Sequence, residues 1–173
     1  SRPSVPASTR TSLGATTRAR ALIVAGKRME AEALLREGCA RPEARTECLE
    51  VRIDNLTQLR DPAVLDAALK EYMSDGCTSS LPCASAATFV GGIRARRGDN
   101  AAAALAYIRA AQEDSTEERW MRAAEAAEKA KLTVQAIEAL QRVASFRGGN
   151  DGEINAHIAR LRAAAQSDLL LRR

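Results

Sequence analysis

Apolar residues return at three- and four-residue intervals through most of the 173-residue chain, in blocks separated by Gly, Pro or a capping Asp. No stretch of useful length alternates as a strand would. The blocks predict nine helices: 16–25, 28–37, 44–59, 62–76, 82–97, 100–112, one opening at Ser115, 133–147 and 151–171. Gly26, Gly38, Gly76, Gly98 and Gly148 stand where helices should stop, because glycine enters the left-handed conformation that other residues resist. Asp61, Asp99 and Asp151 stand where helices should start, with carboxylates able to accept from free N–H groups. Ser115-x-x-Glu118 has the form of a capping box, and Thr133 offers a cap for the eighth helix. Residues 1–14 carry Ser, Thr, Pro and Arg without apolar periodicity and read as a tail, leaving 15–173 as the folded domain. Connections this short predict antiparallel packing of successive helices.

The pattern repeats. The breaks inside successive helix pairs fall at Gly26, Ala63, Gly98 and Lys131, 37, 35 and 33 residues apart. Five residues beyond each break stand Ala31, Ala68, Ala103 and Ala136, and nine beyond stand Leu35, Tyr72, Tyr107 and Leu140. Ala19, Gly91 and Ala124 hold a small-residue position seven before their breaks, and Trp120 precedes Lys131 by eleven. With a period close to ~34 residues, this register resembles the tetratricopeptide (TPR) repeat. That family places a small residue early in each second helix and a bulky one four later. Three features depart from it: the second pair has no glycine at its break, Asp75 stands at a position the family keeps small, and the family's proline near the end of each repeat is met only approximately, by Pro42 and Pro82. The resemblance covers roughly 16–147 and implies an all-α, right-handed α-α superhelix of about four hairpins, with 151–171 as a terminal capping helix.

Composition agrees with close helix packing. Hydrophobic residues make up 46%, enough for a continuous core, while aromatics are only 3% and alanine is abundant. Lys and Arg total 26 against 22 for Asp and Glu, so the +4 excess gives only a mixed-charge surface. Basic residues at Arg94, Arg96, Arg97, Lys129 and Lys131 lie near helix C-termini, where they complement the dipole. No aromatic residues interleave them for base stacking, which argues against nucleic acid. No apolar run reaches the ~18 residues of a membrane span. The start at Ser1, without Met, points to an upstream segment removed by processing or truncation. Membrane contact is expected only through a lipid anchor in such a segment.

The four cysteines fall into two local pairs, Cys39/Cys48 and Cys77/Cys83. Cys48 and Cys83 each lie fifteen residues before the break of their helix pair, so the two pairs occupy equivalent turns between repeats. Three readings remain open: two local disulfides, zinc ligation, or four buried thiols. The spacings fit poorly with zinc hooks, and local disulfides fit the repeat. Helix-end staples of this kind are also similar to the cysteine-rich Sel1-like repeat proteins. Disulfides imply an oxidising compartment, hence periplasm or cell surface, and the Ala/Arg-rich usage suits a GC-rich bacterium.

Nothing in the sequence assembles a catalytic group. The single histidine, His157, lies beside Ile154, Ile158 and Leu161, as a half-buried surface residue would. The carboxylates Glu113, Asp114, Glu117 and Glu118 sit where they favour a helix start. Gly91-Gly92 lacks the strand and Lys of a phosphate loop and reads as close helix packing. The expectation is a non-enzymatic scaffold, without cofactor or metal, that binds a protein or peptide in an envelope or secretion assembly. The alternatives are a regulatory module of an enzyme, or a cytoplasmic binder of an acidic partner or nucleic acid. Extrapolating the TPR pattern lines a groove with Asn55, Gln58, Arg94, Arg122 and Glu125.

Overall fold

The computed structural model describes residues 12–59, 61–77 and 80–171. These form nine α-helices and no strand: α1 (Ser12–Val24), α2 (Arg28–Gly38), α3 (Arg45–Gln58), α4 (Pro62–Gly76), α5 (Ser80–Arg96), α6 (Asn100–Glu113), α7 (Glu117–Lys129), α8 (Thr133–Phe146) and α9 (Gly152–Leu171). Among the described residues no helix is long and apolar enough to cross a membrane. The chain falls into two compact units that divide between Gly76 and Cys77, at a boundary between helix pairs. The tail expected over 1–14 lies mostly outside the described residues, and Ser12 to Gly14 belong to α1.

In the first unit α1 packs on α2 and α3, α2 on α3, and α3 on α4. Its core is built from large aliphatic side chains: Leu35, Leu49, Ile53, Leu56, Leu65 and Leu69 are all at most 2% exposed. Each such burial contributes about 1.5–3 kcal/mol. Gly38 is the last residue of α2 rather than a left-handed stop. A Cβ there would collide with the Cβ of Ala15, so the glycine permits the end of α2 to meet the start of α1. Gly26, with φ 77°, does make the left-handed turn between those helices.

In the second unit each helix packs on the next, from α5 to α9. Here the interior is largely alanine, including Ala103, Ala104, Ala110, Ala111, Ala123, Ala124, Ala127, Ala136 and Ala139. Small side chains bury little area each, but they bring helix backbones close, and the fewer large residues (Ile93, Leu140, Val143, Trp120) fill the gaps. The four register alanines, two in each unit, are all buried at 1% or less. Gly91 behaves as the sequence indicates, since a Cβ there would stand 2.8 Å from the Tyr107 ring.

Helix starts are close to expectation, but α1 opens at Ser12 rather than at 16, α5 at Ser80 rather than at 82, and the caps of α7 and α8 differ. Asp61 accepts from Val64 N–H, Asp99 from Ala102 N–H, and Asp151 from Glu153 and Ile154 N–H. At α7, however, the cap is Thr116, whose Oγ1 accepts from Arg119 N–H, while Ser115 accepts from the Trp120 indole. At α8 Thr133 is already helical, and Lys131 takes a left-handed turn (φ 59°) before Leu132.

Asp151 also receives Arg147 at 2.8 Å, and Arg147 reaches Glu117 at the start of α7. The Arg147 guanidinium and the Ile154 and Glu153 N–H groups hold the Asp151 carboxyl below the usual carboxylate range. Arg147 is correspondingly raised by its bonds to Asp151 and Glu117. A depressed folded pKa gives a contribution that is complete above the ordinary carboxylate value of about 4 and fades as pH falls through the lower folded value. Asp151→Asn should therefore melt below the parent protein at neutral pH, with the gap narrowing as the pH is taken below the ordinary carboxylate value of about 4. Thermal unfolding followed by circular dichroism at neutral and acid pH checks this.

Candidate functional site

A cleft of about 220 Å³ opens in the second unit between α5, α6 and α7. Its wall carries Thr88 from α5, Tyr107 and Ala110 from α6, Asp114 and Thr116 from the connection, and Glu118, Arg119 and Arg122 from α7. The two arginines differ in freedom. Arg119 donates to Asp114 at 3.0 Å and to Thr88 at 2.9 Å, so it ties α7 to α5 and to its own entrance turn. Arg122 lies over the Tyr107 ring, 5.9 Å from the centroid, and meets Glu118 one turn back at 3.3 Å. That pair is exposed, at 48% and 84%, and such pairs contribute little. Arg122 can therefore exchange Glu118 for a carboxylate brought by a ligand while keeping its aromatic support.

No protein-family model and no curated protein matches this chain.

A second, larger cleft of about 530 Å³ lies along α6 and α8, over Trp120. Gln112, Gln135, Gln141, Glu138 and Arg142 rim it, and Arg142 covers the indole at 5.8 Å. Trp120 is only 8% exposed, so this cleft has a polar lining over an occupied floor.

Of the residues expected to line a groove, Asn55 and Gln58 belong to the first unit and Arg94, Arg122 and Glu125 to the second. Asn55 is 1% exposed inside the first unit, where its side chain donates to the Arg28 carbonyl at 3.0 Å and accepts from the Arg28 guanidinium. It joins α3 to α2 and presents nothing to a partner. Gln58 is exposed at the end of α3. Arg94 turns back on Asp99, with its side chain 16% exposed. Glu125 is exposed on α7, and Arg122 lines the smaller cleft. Thr88, Tyr107, Asp114 and Arg119 were not in the expected set. Tyr107 did carry a signal, as the bulky position of its repeat. The carboxylate run is engaged mostly with arginines: Asp114 with Arg119, Glu117 with Arg147, and Glu118 with Arg122.

The cysteines form the two local pairs, Cys39–Cys48 and Cys77–Cys83, and no cysteine is free. That sets aside the thiol and zinc readings. His157 is half-buried and lies 3.0 Å from Glu128, linking α9 to α7. Tyr72 donates to Glu50 at 2.7 Å, and burial together with that carboxylate pushes its phenol far above the ordinary value, so it stays a neutral donor.

Proposed function

We propose that the chain is a TPR-like, non-catalytic scaffold of an exported bacterial protein, serving an envelope or secretion assembly, and that it binds a protein or peptide partner through the α5–α6–α7 cleft. The observation that carries this reading is Arg122, held over Tyr107 by an exposed and weakly tied carboxylate in a concave site between helix pairs. A carboxylate of the partner fits that arrangement. The repeat register supports the TPR reading, since Ala31, Ala68, Ala103 and Ala136 are all buried. The disulfides support export, because such bonds persist in oxidising compartments.

A photoreactive residue in place of Glu118, irradiated in the native host, should yield a discrete covalent adduct with one protein. Adding Arg122→Glu should reduce that adduct by about tenfold or more, the expected cost of reversing a charge at a paired contact. A diffuse smear, or an adduct unchanged by Arg122→Glu, would sink the cleft reading. Export has its own check. Protein taken from its native compartment, unfolded and alkylated without reductant, should gain no mass.

A further inference from the structure

The two disulfides sit in different chemical surroundings. Cys39–Cys48 is sealed in the first unit, at 1% and 0% exposure. Cys77 is only half-buried, whereas its partner Cys83 is 3% exposed and lies in the first turns of α5. One guanidinium nitrogen of Arg109, from α6, stands 3.7 Å from the Cys77 sulfur and 3.8 Å from the Cys83 sulfur. Arginine beside sulfur favours the thiolate over the thiol, and a better-stabilised leaving thiolate departs faster in exchange.

We propose that Cys77–Cys83 is a thiol–disulfide exchange site that takes a small-molecule thiol, with Cys77 as the attacked sulfur and Arg109 as the residue that receives the departing Cys83 thiolate. In the first step the external thiolate forms a bond to Cys77 Sγ, and the Cys77–Cys83 bond breaks with its electron pair leaving on Cys83. The product is a mixed disulfide on Cys77 and a Cys83 thiolate beside Arg109. A second equivalent of thiolate then attacks the external sulfur of the mixed disulfide and releases Cys77 as a thiolate. Two thiols are oxidised to one disulfide, and the protein bond is reduced by the same two electrons. Cys39–Cys48 stays closed because no nucleophile reaches its sulfurs. Opening the Cys77–Cys83 bond releases the tie between Cys77 and the first turns of α5.

The test uses the folded chain, glutathione as the thiol, and acid quenching followed by alkylation and peptide mass analysis. Cys77–Cys83 should open at least about tenfold faster than Cys39–Cys48, and the glutathione adduct should appear on Cys77 and not on Cys83. Arg109→Gln should slow that opening several-fold and leave Cys39–Cys48 unchanged, while Arg109→Lys should retain part of the effect. Arg109 is exposed, so both variants should fold. Equal rates for the two bonds, an adduct on Cys83, or an Arg109→Gln rate matching the parent would each overturn the assignment. The last outcome separates a disulfide opened through Arg109 from one that is merely accessible.

Discussion

Replacing Cys39 and Cys48 together by alanine should lower the stability of the first unit by about 2–4 kcal/mol. The bond closes a separation of nine residues between the C-cap of α2 and the first turn of α3. Opening a loop of that size returns roughly 2–3 kcal/mol of chain entropy to the unfolded state. Burial adds to this, because both sulfurs sit in the interior and two alanines leave part of their volume empty. Alanine rather than serine keeps the test clean, since a buried hydroxyl would bring a separate polar penalty. Equilibrium denaturation should show a lower midpoint, and hydrogen exchange should locate the loss in α2 and α3. The corresponding Cys77/Cys83 replacement should cost less, because its loop is shorter and Cys77 is half in solvent. If the Cys39/Cys48 variant matched the parent, the bond could not be closing that loop in the native protein.

The sequence made the helices and their register legible for a physical reason. A buried helix face must be apolar every three or four residues, and a hairpin of two such helices needs a small residue where the axes cross. Ala31, Ala68, Ala103 and Ala136 announce that crossing at a fixed distance from each break, and all four are buried as the spacing requires. The cysteine pairing was legible through the same register, because the pairs fall at equivalent turns. Side-chain direction was less legible. Asn55 looks like a surface residue by type, and only the proximity of Arg28 on the neighbouring helix makes its burial affordable. Gly38 looked like a stop because glycine serves both turns and close contacts, and one sequence does not separate the two uses. The cleft shows the same limit. Arg119 and Arg122 are three residues apart and identical in type, yet one is held by Asp114 and Thr88 while the other lies over Tyr107. Those partners come from different helices, so no local pattern could distinguish them.

The same reasoning gives the largest expected effect of a single substitution in the chain, at Arg52. By type this arginine belongs on a surface, yet it is 8% exposed on α3. Its Nε reaches Glu32 of α2 at 3.0 Å, a second nitrogen reaches the same carboxylate at 2.9 Å, and a third approaches Glu71 of α4 at 3.6 Å. Glu71 is also bonded to Arg45, which approaches Asp75 at 3.7 Å, so charges of alternating sign run across α2, α3 and α4. The Glu32 side chain is 12% exposed, and its Oε2 has no hydrogen-bond partner among the described residues. Arg52 is the counter-charge this carboxylate meets. Arg52→Met removes the counter-charge, keeps most of the packing, and should cost about 3–5 kcal/mol, because the burden falls on the carboxylate left behind. Adding Glu32→Leu should recover most of that loss, to within about 1 kcal/mol of the parent, since an apolar pair of similar volume has no desolvation to offset. A double-mutant cycle by chemical denaturation measures both steps and their coupling. A near-neutral Arg52→Met would mean that water already reaches Glu32. A large loss without rescue would mean that Arg52 acts chiefly by holding Glu71, and α4 with it, against α3.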